Sequence, residues 1–330
     1  MRKIITEKIL NCLGSYPKLP LLAVILGMMT VSSCEYKDID EHDFSSSVPV
    51  RLHFNWEAVD SVPQRTIVVL YPTQDGKLTR GYMWFDVLNR DTVVQIPTGT
   101  YNVTAWNSDH THVYIPRYAP QKSVYATTLD IATNNMYALP NILDSIYDGQ
   151  KVLDYPDYMT HANKTLFEIT KSSTLQELDL DMDSMVVAVD IQLKGIKGLE
   201  LCKRVKGTIN NCASKRFIAH DNLTEECATV AFDMQVQGDS LLTAHCYIFG
   251  TEPTGQRNLN HKMLLFFWLK NGRVYIPIDV TEVFAATDSD SNRLVIKSDN
   301  ININLYDYLQ NSSMVVDIDE WDNTSNDISF

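Results

Sequence analysis

Between Val50 and Trp56 apolar and polar side chains alternate without a break, with Val50, Leu52, Phe54 and Trp56 set against Arg51, His53 and Asn55. A period of two fits a strand with one dry and one wet face, because successive strand side chains point to opposite sides of a sheet. It does not fit a helix. Further short strands are expected at 67–71, 82–85, 92–96, 101–106 and 124–131. Pro72 to Gly76 and Pro97-Thr98-Gly99 supply turns between them. Helical periodicity is absent here, so the region reads as a β domain of about seven short strands.

Residues 132–174 are less regular, which places a junction near 170. The second half restarts at 185–193 and alternates again over 241–249. Its clearest local signal is a pair of apolar runs, 263–269 and 274–278, around Asn271-Gly272, the preferred two-residue hairpin turn because both positions tolerate positive φ. One helical turn is expected over 279–284, then strands around 294–296, 301–305 and 314–318. The expected architecture is all-β, two tandem β-sandwich domains at 48–172 and 173–330.

The start of the chain reads differently. Arg2, Lys3, Lys8 and Lys18 face only Glu7, and an apolar run at 21–31 follows that falls short of the roughly 20 residues needed to cross a bilayer. Val31-Ser32-Ser33-Cys34 then resembles a bacterial lipobox. Residues 1–33 are therefore expected to be a lipoprotein signal peptide, and Cys34 the acylated residue. Several acyl chains of the palmitate type would make a lasting anchor in the outer membrane, at about 0.8 kcal/mol per buried methylene. Residues 34–47 are acidic and Ser-rich, too poor in apolar residues to fold alone. They resemble the surface-export signal of Bacteroidetes lipoproteins, the alternative being a plain solvated linker.

Loss of residues 1–33 moves the formal charge from −13 to −16. Such a chain is not suited to nucleic acid. Cys202, Cys212, Cys227 and Cys246 remain for the folded part. Their spacings of 10, 15 and 19 match no zinc pattern, and buried thiols or one disulfide are the favoured states. No phosphate-cradling glycine loop, His-Glu-x-x-His or Gly-x-Ser-x-Gly is present, so neither an enzyme nor a cofactor is expected. Asp109-His110-Thr111-His112 puts two imidazoles close enough for a metal, or forms a polar turn. Asp179, Asp181, Asp183 and Asp190 imitate calcium-loop spacing, as do Asp288, Asp290 and Asn292 less well, but Ser184 and Arg293 stand where the loop needs glycine. The triplet Asp, Ser or Thr, apolar residue resembles an O-glycosylation acceptor of exported Bacteroidetes proteins. It occurs at Ser61, Thr92, Ser145, Ser184 and Ser240, against roughly one or two expected by composition.

The run Arg51-Leu-His-Phe-Asn-Trp56, then Tyr71-Pro72, Ile96 to Asp109, Asp279-Val-Thr281 and Val315 to Trp321 together resemble a group of Bacteroidetes lipoproteins. That group is similar to the fimbrillin-associated anchor subunits of type V fimbriae. The resemblance covers essentially the whole mature chain. It implies two transthyretin-like sandwich domains, lipid anchoring, and a fimbrillin-like protein partner engaged by β-strand complementation. The chain departs from the better-known anchors in lacking a second cysteine soon after the lipidated one. The alternative partner is a surface glycan, held on Trp56, Trp84, Trp106 and Trp268, although the alternating patterns around Trp56 and Trp106 suit core packing.

Overall fold

The computed structural model describes residues 47–79, 81–116, 119–131, 147, 149–255, 259–270, 272–286, 292–299, 301–308 and 314–315. The strands of the first half are β1 (Ser47–Asn55), β2 (Arg65–Gln74), β3 (Lys77–Leu78), β4 (Met83–Leu88), β5 (Thr92–Pro97), β6 (Gly99–Asn107), β7 (Val113–Tyr114), β8 (Tyr125–Thr128), β9 (Lys151–Asp154), β10 (Thr160–Ile169), β11 (Gln176–Asp181) and β12 (Asp183–Ser184). The second half contributes β13 (Val187–Lys194), β14 (Arg204–Ala213), β15 (Lys215–Phe217), β16 (Cys227–Asp233), β17 (Gln235–Gln237), β18 (Leu241–Ile248), β19 (Lys262–Leu269), β20 (Gly272–Asp279), helix α1 (Thr281–Ala286), β21 (Arg293–Ser298) and β22 (Met314–Val315). The chain is all-β in class, as its periodicity requires.

Two sandwiches account for most of these strands. In the first, a three-stranded sheet β11-β1-β5 lies over a larger sheet β12-β10-β6-β2, to whose β2 both β3 and β4 are added. Val50, Leu52 and Phe54 of β1 enter the core between them, with Val68 and Leu70 of β2, Val103 of β6 and Leu178 and Leu180 of β11. The opposite, wet face of β1 meets β11 in a parallel register of Arg51 with Glu177, His53 with Asp179 and Asn55 with Asp181. Arg51 bonds Glu177 at 2.7 Å and Asn55 bonds Asp181 at 3.1 Å. Tyr101 closes the β5–β6 corner by donating its hydroxyl proton to the Pro97 carbonyl at 2.9 Å.

In the second sandwich the sheet β17-β18-β13-β21 packs on β22-β20-β19-β14-β16-β9. Val189 and Ile191 of β13, Leu265 and Phe267 of β19 and Ile276 of β20 are among its buried residues. Gly207 stands opposite Phe232, whose ring lies 2.4 Å from where a β-carbon would be, so only glycine fits under it. The hairpin at 269–272 forms as expected, but Leu269 pairs with Gly272. The connection is therefore residues 270 and 271, one position earlier than Asn271-Gly272, and Asn271 itself lies outside the described residues. Helix α1 occupies the predicted helical turn, its Thr281 N–H donating to the Asp279 carboxylate at 2.9 Å. Residues 301–305 keep alternate burial but are not a strand. Their backbone bonds the turn after β13, through Ile301 N–H to Lys194 O and Lys197 N–H to Ile303 O, and then coils at Leu305–Tyr308.

Pairing crosses the 172/173 boundary in both directions. Strand β9 joins the second sandwich in parallel with β16, whereas β11 and β12 return to the first through β1 and β10. A further apolar cluster, containing Val69, Trp106, Met159, Met185, Ala213, Ile218 and Phe249, joins the two halves. The described residues from Val48 onward accordingly form one compact unit.

Candidate functional site

The first sandwich is closed on one side and open on the other. On the closed side β10 and β11 are in contact. On the open side β4 pairs only with β2, and β5 only with β1, among the described residues. Both strands therefore present an unpaired backbone edge. A three-residue turn links them, which keeps the two edges on the same side of the core.

Side chains at this edge are apolar and incompletely covered. Met83 and Phe85 of β4 and Val94 of β5 point toward the core but remain half-buried. On the outward faces Trp84 is 54% exposed, Leu88 43% and Val93 52%. An edge of this kind can accept an extended chain, whose backbone would complete the ladder while alternate side chains fill the gap over Phe85 and Val94.

The proposed glycan acceptors are scattered. Ser61 lies exposed between β1 and β2, and Ser240 is exposed in the turn between β17 and β18. Thr92 is half-buried, its hydroxyl bonded to the Arg90 carbonyl at 3.0 Å. Ser184 is 5% exposed and donates to the Val186 carbonyl at 2.9 Å, which leaves no room for a sugar in the folded chain. Cys34 and Ser145 lie outside the described residues. Cys202, Cys212, Cys227 and Cys246 are all free thiols, so no disulfide joins them. Burial pushes Cys202 and Cys246 up to about 12, out of the range of a reactive thiolate.

The candidate metal segments serve as structural ties. Asp157 accepts from the N–H groups of Thr111 and His112, both at 2.6 Å, and Asp109 accepts from Gln64 N–H at 2.9 Å. His112 pairs with Asp154 at 2.9 Å, a bond that raises its pKa, whereas burial lowers that of His110. Asp179 and Asp181 occupy the wet face of β11. Asp190 lies between His245 at 2.8 Å and Arg293 at 2.7 Å. Burial opposes its charge, but these two bonds hold its carboxyl below the ordinary range. Among the described residues no three His, Cys, Asp or Glu side chains are placed to hold a metal ion. Asp288 and Asp290 lie outside those residues.

The tryptophans do not share one surface role. Trp106 is buried in the cluster joining the halves, Trp56 packs half-buried on the first core, and Trp268 lies half-buried on the outer face of the second sandwich. Trp84 alone of these four is mostly exposed. The open edge was hidden from sequence reasoning because an edge is defined by a missing neighbour. The adjacent Val93-Val94, one facing out and one in, is the local trace of it.

These features define an all-β sandwich protein with one side open among the described residues. Residues 33–233 match the family described as a domain of unknown function, DUF5119, and the chain belongs to that family. Among solved structures it is similar to a candidate adhesin from Bacteroides ovatus, with 20% identity over 82% of this chain and 96% of that one and a TM-score of 0.59. It is similar at lower scores to a candidate polysaccharide-binding protein from Bacteroides thetaiotaomicron, with 12% identity, coverage of 75% and 89% and a TM-score of 0.46. The fimbrial anchor protein Mfa2 from Porphyromonas gingivalis gives 13% identity, coverage of 76% and 90% and a TM-score of 0.45. No curated protein matches the sequence significantly. The resemblance read from the sequence holds at the level of family and fold.

Proposed function

We propose that this chain is a lipid-anchored cell-surface subunit of the fimbrial anchor or assembly kind, which takes up an extended strand of another subunit at its β4–β5 edge. The carrying observation is the pair of edges on one side of the first sandwich that no described strand pairs with, with Phe85 and Val94 half-covered between them. The sequence resemblance to fimbrillin-associated anchors and the fold likeness to a candidate adhesin support the reading. Cys34 carries the lipid, and the family match begins one residue before it. Its function is structural, not enzymatic. Ser61, Thr92 and Ser240 are the described sites open to host glycosylation, with Ser145 as a further candidate outside the described residues.

Edge addition is tested by isothermal titration of the mature protein with peptides from the terminal strands of any fimbrillin-like subunits found in the same locus. Binding that is lost in Val94→Glu, with melting temperature held, supports the proposal. If none of these peptides binds and no such subunit co-purifies, the assembly role is wrong. Native expression of Cys34→Ser tests the anchor separately, since retention of this variant in the membrane fraction with unchanged lipid mass would exclude acylation there.

A further inference from the structure

We propose that the turn at 217–225 in the second half, together with Lys122 of the first, forms a binding site for one ring of a neutral glycan. These segments line an open depression of about 440 Å³, within the size range of small-ligand sites. Lys122, His220, Asn222 and Glu225 supply its polar groups, and Phe217 and Leu223 add apolar surface.

The turn is built to hold these groups in place. Phe217 N–H donates to Asn222 O at 2.8 Å, and Thr224 N–H donates to Lys215 O at 3.1 Å. Between these bonds Asp221 takes a left-handed φ of 54°, a conformation that a non-glycine residue keeps only with support from its surroundings. Arg216 Nε at 2.7 Å and the buried His161 Nε2 at 3.3 Å give that support, both against the Asp221 carboxylate. With Asp221 held back, its neighbours His220 and Asn222 are left to line the depression. Thr254 straps the second limb of the turn, its N–H donating to Thr224 O at 2.8 Å and its hydroxyl to Leu223 O at 2.5 Å. Leu223 packs on Gly250, where a β-carbon would lie 2.5 Å from the leucine methyl, so only glycine fits beneath it. Tyr125 meets Phe217 edge to face at 6.1 Å and fixes the plane of its ring. Phe217 is half-buried, and part of its surface is left to the depression.

Free hydrogen-bonding groups decide the ligand. Among the described residues the side chains of Lys122, His220, Asn222 and Glu225 have no hydrogen-bond or ion-pair partner. Charges beside them are already spent, Arg216 on Asp221 at 2.7 Å and Lys215 on Glu226 at 3.5 Å and over the Tyr125 ring. Lys122 and Glu225 thus leave one positive and one negative group in the depression, and no net field selects an ion. Amide, carboxylate, ammonium and imidazole groups suit neighbouring hydroxyls, and an aromatic ring suits the C–H face of a sugar. A peptide strand finds no edge to join, because residues 222–224 already occupy the second edge of β15. A neutral sugar ring meets all three conditions. The site shares no residue with the β4–β5 edge and does not rest on strand complementation.

The test is isothermal titration of the mature protein with neutral oligosaccharides of glucose, mannose, galactose, xylose and N-acetylglucosamine. Oligogalacturonate and a Gly-Ser peptide of similar length serve as the charged and the non-sugar probes. At least one neutral oligomer should bind, with affinity changing less than about twofold between about 50 and about 500 mM salt. Asn222→Ala and Glu225→Ala should each weaken binding about tenfold, as loss of a hydrogen bond does. Their melting temperatures should not change, because both side chains are exposed and support no other group. Phe217→Leu, which keeps apolar volume without the ring, should weaken binding by a similar factor. No binding of any neutral oligomer at about 10 mM, tighter binding of the oligogalacturonate or the peptide, loss of binding in high salt, or full binding by both Ala variants would overturn the proposal.

Discussion

The two sandwiches are built from the same kind of strand but closed differently. In the second, β16 passes into β17 through buried Met234, carrying the chain from one sheet to the other and sealing one side. Helix α1 packs against β21 near the other side, with Phe284 6% exposed and stacked on His261 at 4.0 Å. In the first, the corresponding crossing from β4 to β5 is a bare turn, and Met83, Phe85 and Val94 stay half-buried beneath it. Fifteen buried residues form the first core and twenty-nine the second among those described, so each leaking side chain is a larger share of the first. The contrast teaches that, among the described residues, one sandwich is sealed at both sides and the other is left open at one.

Breaking the seal of the second sandwich should have the largest effect. Phe284→Ala removes a buried ring and is expected to cost about 3 kcal/mol in denaturant unfolding. A loss under about 1 kcal/mol would mean that α1 seals nothing.

Acid should act on the same seal. Burial lowers the pKa of His261, and of His161 where β10 meets residue 218 of the second half. The unfolded chain takes up protons near pH 6.5 that the folded chain refuses, so stability should fall as pH drops through that value toward the lower folded pKa. Chemical denaturation at pH 7.5, 6.5 and 5.5 checks this. His261→Phe should flatten the dependence, and an unchanged slope would exclude His261 as a source.

Phe85→Ala at the open edge should cost only about 1 kcal/mol, because much of that ring already meets solvent. A cost matching that of Phe284→Ala would show that the edge is closed in solution. The smallest effect belongs to the wet ladder of β1. Arg51→Ala breaks an exposed ion pair with Glu177 and should shift stability by no more than about 0.5 kcal/mol, read from the same denaturation curves.

Legibility in the sequence followed the number of dry faces. Strand β1, with one, announces itself by alternation, and so do β13, β18 and the β19–β20 hairpin. Strand β14 is buried on both faces and carries Gly207, Asn210 and Asn211, so no period marks it. Strand β10 is interrupted by a bulge between Lys164 and Phe167, where Leu166 takes φ 52°, and its pattern dissolves. In β11 the alternation is present, but Asp179 and Asp181 drew attention as possible ligands when they are the solvent face of Leu178 and Leu180. The candidate site was less visible still. Trp84 and Val93 are ordinary strand residues in the sequence, and only the strand order shows that no other described strand lies beside them.

The parallel pairing of β1 with β11 has a mechanical consequence. If the proposed lipid at Cys34 holds the chain, tension enters the folded part through Ser47, at the very start of β1. Pulled along its own axis, β1 loads the ladder from Val50 with Gln176 to Asn55 with Asp181 all at once, in shear, instead of peeling it one pair at a time. Under the proposed anchoring β1 is thus also a clamp, and the load it bears passes to β11 and, through the interleaved β9 to β12 segment, into the second sandwich.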